Sequence, residues 1–127
     1  MIYYAEVMRL SNDVEEEVDL RINSVNITCF VSVCPFQIRE HAIYKVALTP
    51  FTFDDYFICE ASKESFPSLV KVKAGFSYEV IGELTGNRLN AGCIVLEDDI
   101  LLSDYGYLDG KMVLWMVDRI DVEFISN

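Results

Sequence analysis

Two acidic segments are the clearest candidates for chemistry in this sequence. Together they hold ten carboxylates: Asp13, Glu15, Glu16, Glu17, Asp19, Glu97, Asp98, Asp99, Asp104 and Asp109. Clustered carboxylates bind hard cations or the Lys and Arg side chains of a partner. A calcium loop spaces its carboxylates at alternate positions around a glycine, and the second segment lacks that order. We therefore predict that these residues contact a basic protein partner and bind no metal.

The sequence offers little for catalysis. A hydrolytic triad needs a histidine beside a nucleophile, and no nucleophile-elbow pattern accompanies the single histidine, His41. A zinc site needs three or four convergent ligands, but Cys29 and Cys34 would face opposite sides of one strand and no C-x-x-C pair is present. The glycines form no phosphate-binding loop. We predict that the protein is not an enzyme and holds no cofactor.

An aromatic run could form a stacking surface. The aromatic residues that form this run fall within 28 positions and are Phe30, Phe36, Phe51, Phe53, Tyr56 and Phe57. Nucleic-acid platforms set such residues in a basic groove, yet only Arg39 and Lys45 interleave with this run. Packing in the core is the interpretation we prefer. A nucleic-acid or small-ligand site lined by these rings is the alternative.

The charge balance favours some partners over others. With 21 acidic and 10 basic residues the net charge is −11, which repels phosphate backbones and attracts cationic proteins. Acidic surface also keeps a chain soluble when 52% of its residues are hydrophobic. The longest apolar run, Met112–Val117, is far too short for a membrane helix. With no secretory signal visible, we expect a cytoplasmic protein with free, buried thiols and no contact with membrane.

The segment Lys111–Ile125 organises the predicted fold. Its residues alternate with a period of two, and both faces are apolar in the first half, which indicates a central strand covered on both sides. The carboxylate of Asp118 interrupts one apolar face, so we expect the strand to bend there and serve two layers of sheet. Such a strand is typical of small barrels and orthogonal sandwiches.

Further short strands fill the rest of the chain. We predict strands at Ile2–Arg9, Val25–Val33, Ala42–Leu48, Tyr56–Cys59, Leu69–Val72, Phe76–Leu84 and Cys93–Leu96. The predicted fold is a single all-β domain over residues 1–127. In it a small curved antiparallel sheet closes into a sandwich or a partly open barrel, with at most one or two short helical turns. An oligonucleotide-binding-type barrel belongs to that class.

Three hypotheses for function follow from these patterns. The first is an acidic, non-enzymatic protein-binding module, of which an immunity-protein or antitoxin-type inhibitor of a basic protein is one form. The second is a β-barrel module for a nucleic acid or small ligand, which the charge disfavours for nucleic acid. The third is a structural subunit that buries its excess apolar surface in a homo-oligomer.

Overall fold

The computed structural model describes residues 1–126, and most of them lie in β-strands. The strands are β1 Ile2–Leu10, β2 Glu17–Ile22, β3 Val25–Val33, β4 Ile43–Phe51, β5 Phe57–Glu60, β6 Ser68–Lys71, β7 Tyr78–Thr85, β8 Arg88–Asn90, β9 Val95–Glu97, β10 Met112–Val117 and β11 Arg119–Phe124. One short helix, α1 at Asp99–Ser103, precedes a 3-10 turn at Gly106–Leu108. The predicted all-β class with one or two helical turns is confirmed.

Five strands close into a barrel in the order β1-β2-β3-β11-β4, and β4 pairs again with β1. The oligonucleotide-binding type of fold is likewise a five-stranded barrel, a likeness of architecture that carries no function. The sequence predicts antiparallel pairing throughout, but β11 runs parallel to β3. No hairpin joins these two strands, so no tight turn fixes their relative direction.

The second layer is a six-stranded antiparallel sheet inserted between barrel strands β4 and β11. Its order is β5-β10-β7-β8-β9, and β6 pairs with the first half of β7. β8 pairs with the second half of β7, so β6 and β8 lie end to end along the same side of that strand. The residues Thr85-Gly86-Asn87-Arg88 predict a turn, and the structure confirms it: Gly86 and Asn87 form the turn between β7 and β8, and Thr85 pairs with Arg88 across it.

The segment Lys111–Ile125 joins the two layers, as its pattern predicts. β10 lies inside the sheet between β5 and β7, and β11 lies inside the barrel. Asp118 separates them: its carboxylate accepts a hydrogen bond from the Phe53 N–H at 2.7 Å, and its own N–H donates to the Phe51 carbonyl at 2.9 Å. The carboxylate therefore turns the chain by holding the loop that follows β4.

One face of β10 is buried and the other is not. Val113, Trp115 and Val117 are at most 1% exposed and belong to one apolar core that spans both layers. Met112, Leu114 and Met116 point to the opposite side and are only partly buried. The predicted cover on both faces is thus present on one face alone within residues 1–126.

No helix in that part of the chain has the length and apolar character needed to span a membrane.

Two turns show how local chemistry sets the barrel. Asn23 and Ser24 have positive φ angles of 49° and 69° and form the tight turn between β2 and β3. The predicted strand Ala42–Leu48 ends before Pro50, but in the structure Pro50 lies inside β4 opposite Ile120. β1 pairs with β4 only as far as Ala47, so the missing N–H of Pro50 leaves no ladder bond unmade on that side.

Candidate functional site

The first acidic segment forms the loop between β1 and β2. The Ser11 hydroxyl accepts hydrogen bonds from the N–H groups of Asp13 at 3.3 Å and Val14 at 3.0 Å, which fixes the start of the loop. Asp13, Glu15 and Glu16 are exposed. Within residues 1–126 no hydrogen bond or ion pair reaches their carboxylates. These three charges are therefore available to another molecule.

The next two carboxylates are already neutralised by the chain itself. Arg9 on β1 donates from Nε to Asp19 at 2.8 Å and also contacts Glu17. The hydrogen bonds to Asp19 and Glu17 raise the pKa of Arg9. Asp19 additionally accepts a 2.7 Å hydrogen bond from the hydroxyl of Thr28 on β3. The predicted contact role of Glu17 and Asp19 thus competes with bonds that tie three barrel strands together.

A cleft of about 460 Å³ opens beside the free carboxylates. Its lining combines acidic, apolar and small polar residues: Leu10, Ser11, Glu15, Glu16, Val31, Ser32, Cys34 and Ile38. An apolar floor below an acidic rim suits a lysine or arginine side chain, whose methylene stem packs on apolar groups while its charge stays at the rim. We call the free carboxylates and this cleft the loop site.

Most of the second acidic segment serves the fold. Glu97 lies 3.2 Å from the N-terminal ammonium group of Met1 and 3.4 Å from Nε of Arg88. The hydrogen bond from the ammonium group is the main cause that lowers the pKa of Glu97. This carboxylate therefore anchors the start of β1 to the edge of the sheet.

Asp98 and Asp104 lie at the two ends of α1. The Asp98 carboxylate caps the helix by accepting from the Ile100 N–H at 3.0 Å, and it also accepts from the Tyr56 hydroxyl at 3.1 Å. Asp104 ends the helix through its backbone N–H, and within residues 1–126 its exposed carboxylate takes part in no hydrogen bond. Only Asp104 in this pair is free for a partner.

Asp99 and Asp109 hold the β7–β8 turn. Asn87 donates from its side-chain amide to Asp99 at 3.3 Å, and the Gly86 N–H donates to Asp109 at 2.7 Å. Gly86 has a φ of +63°, the left-handed conformation that the turn requires. Both carboxylates therefore fix a turn in the sheet.

The two acidic segments do not meet. Glu97 lies beside Met1 at the beginning of β1, whereas the loop site lies beyond Leu10 at its end. A nine-residue strand separates them by about 30 Å at roughly 3.3 Å per residue. In the described part of the chain, no three or more His, Cys, Asp or Glu residues come together as metal ligands.

Three rings of the aromatic run surround Arg119, which is not among the residues predicted from the sequence. The Arg119 guanidinium lies 3.8 Å from the ring centre of Phe30, 4.9 Å from that of Phe53 and 5.4 Å from that of Phe51. Its Nε donates to the buried carboxylate of Asp121 at 2.6 Å. Arg119 and Asp121 stand two apart on one strand and so lie on the same face. This spacing of two opposite charges is the signal in the sequence from which their ion pair could have been predicted.

The core interpretation of these rings is wrong for three of the six. Phe51, Phe53 and Phe57 are 40%, 59% and 59% exposed. A base-stacking platform needs free ring faces, but Arg119 occupies one face of Phe30. The nucleic-acid alternative therefore requires that a base displace an internal cation–π contact.

Residues 1–125 match the model of a family described as "Uncharacterised conserved protein UCP019853". The chain belongs to this family. The search of curated proteins found no match, and neither did the search of solved structures.

The family match covers the barrel, the inserted sheet and the loop site together, since β11 ends at Phe124. The match therefore includes the whole two-layer unit of this chain, with the loop site inside it. The family description assigns no activity.

His41, the single histidine, lies at a surface turn. It is exposed, has a φ of +70°, and its N–H donates to the Val7 carbonyl at 2.6 Å just before β4.

The cysteines differ in exposure, which corrects the prediction that they are buried. Cys29 is buried and burial raises its pKa; Cys93 is partly buried and its pKa is also raised, mainly by burial. Cys34 and Cys59 are exposed.

We expect the thiols of Cys34 and Cys59 to react rapidly with a disulfide reagent at neutral pH, Cys93 to react slowly, and Cys29 to react only after unfolding. Cys34→Ser and Cys59→Ser should each remove one rapid equivalent; four rapid equivalents would contradict the buried position of Cys29.

Proposed function

We propose that the protein is a non-enzymatic binding module that captures a basic protein through the loop site. The observation that carries this proposal is the distribution of neutralised charge. Six of the ten candidate carboxylates make internal hydrogen bonds or ion pairs, namely Glu17, Asp19, Glu97, Asp98, Asp99 and Asp109. Within residues 1–126 the other four carboxylates are free, and three of them, Asp13, Glu15 and Glu16, lie in one loop; the fourth is Asp104.

The loop site combines two contributions to binding. Exposed charges of one sign accelerate the encounter with a cationic partner and become less effective as salt rises. A cleft with an apolar floor can bury part of an inserted side chain, and buried central contacts supply most of the affinity in protein interfaces. The rim of Glu15 and Glu16 around Leu10, Val31 and Ile38 offers both at one place.

An immunity-protein or antitoxin-type inhibitor is the form of binding module that this charge pattern favours. Such an inhibitor must find a cationic partner quickly, and the net charge of −11 gives a long-range field of the required sign. The support for this finer assignment is electrostatic.

The test reverses the charge of the loop site. Immobilised wild-type protein, the variant Glu15→Lys/Glu16→Lys and the control Glu64→Lys/Glu83→Lys are used for capture from cells of the source at low and high salt. The control changes the net charge equally at two exposed carboxylates outside the loop. We expect a stoichiometric basic protein on wild type and control, lost at high salt and absent from the loop variant.

Affinity of the purified partner then gives the magnitude. We expect the loop variant to bind at least about 100-fold more weakly, because two favourable charges become two repulsive ones at the cleft. Equal capture by all three proteins, or recovery of nothing but the protein itself, would overturn the proposal.

A further inference from the structure

The end strand β5 is the least protected edge of the inserted sheet. At β9, the Tyr3 hydroxyl accepts from the Val95 N–H at 2.6 Å and donates to the Val95 carbonyl at 3.4 Å, so it covers the edge groups of that strand. β6 carries the exposed Lys71, with Lys73 two residues later, and unpaired charges of one sign discourage edge pairing. β5 is Phe-Ile-Cys-Glu, and its one charge, Glu60, forms an ion pair with Lys111 at 3.4 Å.

The free hydrogen-bonding groups of β5 can be located from its pairing with β10. The Ala61 N–H donates to the Met112 carbonyl at 2.8 Å, just beyond the strand end. Antiparallel pairs alternate, so the N–H and C=O of Cys59 also point toward β10. Those of Ile58 and Glu60 point away from the sheet, and β5 is its end strand. A further strand can therefore be added there.

We propose that this strand is β5 of a second copy, paired antiparallel about a twofold axis that passes midway between the Ile58 residues of the two copies. In antiparallel pairs, residues directly opposite share a face, so a symmetric pair is centred on a residue. Centring on Ile58 places Phe57 opposite the partner's Cys59 and forms reciprocal hydrogen bonds between the two Ile58 backbones. Centring on Cys59 would instead place Glu60 opposite the apolar Ile58 on the buried face.

The charges beside β5 complement each other under this symmetry. Exposed Asp54 and Asp55 precede the strand. A cleft of about 420 Å³ at its other end is lined by Glu60, Lys63 and Lys111. Lys111 is paired with Glu60 at 3.4 Å, whereas Lys63 takes part in no ion pair within residues 1–126. An antiparallel twofold pair brings the beginning of each β5 next to the end of the other, so the acidic turn of one copy meets the partner's Lys63 twice. This arrangement offsets part of the repulsion between two copies of net charge −11.

Pairing also extends the apolar face that the chain leaves partly bare. Phe57 is 59% exposed and lies next to Met116, which is itself only partly buried. In the dimer each Phe57 ring packs against the partner's Cys59 and loses part of its contact with water. The contact area of four-residue strands and two charged flanks is small, so we expect micromolar affinity.

The first test is sedimentation velocity from about 1 to about 500 µM, the range in which a micromolar equilibrium is visible. We expect wild type to shift from monomer to dimer. Lys63→Glu and Asp55→Lys should each weaken the dimer about tenfold, and the two together should restore it because the opposite charges are exchanged. A wild type that stays monomeric throughout, or a double variant weaker than either single variant, would overturn the proposal.

The second test fixes the register. In the proposed pair Phe57 and the partner's Cys59 form a non-hydrogen-bonded pair about 4.5 Å apart at Cα, close enough for a disulfide. We expect Phe57→Cys, oxidised with diamide, to give a covalent dimer in high yield, and Phe57→Cys/Cys59→Ser to give no more than wild type. Failure to cross-link, or equal cross-linking by both variants, would contradict the register.

This inference is independent of the loop site, which lies in the barrel. Glu15→Lys/Glu16→Lys should dimerise as wild type does, and Lys63→Glu should capture the basic partner as wild type does. The failure of one proposal is therefore distinguishable from the failure of the other.

Discussion

Replacement of Trp115 by alanine is expected to lower the free energy of unfolding by about 3–5 kcal/mol. The side chain is fully buried, stacks on Tyr56 at 6.4 Å between ring centres, and faces Ile58 and Val80 on the neighbouring strands. Its indole N–H donates to the Thr52 hydroxyl at 3.3 Å, which holds the loop before β5. Since a domain has only about 5–15 kcal/mol in all, we expect a large loss of folded protein on mild heating.

The adjacent residue provides a matched control for this prediction. Met116 follows Trp115 on β10 but points to the partly exposed face. We expect Met116→Ala to cost less than about 1 kcal/mol, as for substitutions away from a packed core. Urea unfolding followed by far-ultraviolet circular dichroism measures both, since the Trp115 variant has no indole fluorescence. Equal losses would mean that the two faces of β10 are assigned wrongly.

The layer-joining strand was predictable because its information is local. Period-two alternation indicates strands at β1, β3 and β10, and one carboxylate within an apolar face is sufficient to place the break at Asp118. The partner of that carboxylate could not be predicted, since the Phe53 N–H lies 65 positions away in sequence. The parallel pairing of β3 with β11 is unpredictable for the same reason, because no turn connects the two strands.

The candidate site shows the same limit at the level of single charges. Both acidic segments have similar composition, and nothing local distinguishes the cap Asp98 from the free Glu16. The difference arises from tertiary neighbours: the N-terminal ammonium group reaches Glu97, and Arg9 crosses from β1 to Asp19. Exposure of Cys59 likewise follows from the position of β5 at a sheet edge, which strand-by-strand reading does not give.

Substitution of Gly82 by alanine should be the second large disruption, and its cause is a close backbone approach. A Cβ at this buried position on β7 would lie 2.6 Å from the Asn90 carbonyl carbon and closer still to its oxygen. Neither atom can move without breaking the pairing of β7 with β8. The backbone just after β8 is held as well, because the Ala91 N–H donates to the Ile94 carbonyl at 2.9 Å. We expect a loss of about 3 kcal/mol, the upper range for overpacking in a core.

Gly106 separates this steric effect from the general effect of adding a methyl group. It begins the 3-10 turn, and a Cβ there would have no atom within 4 Å. Gly106→Ala should be neutral or slightly stabilising, because alanine restricts the unfolded chain more than glycine does. Thermal unfolding should therefore show a fall in Tm of about 10 °C for Gly82→Ala and almost no change for Gly106→Ala. A Gly82→Ala variant that melts like wild type would mean that β7 and β8 approach less closely at Gly82 than this register requires.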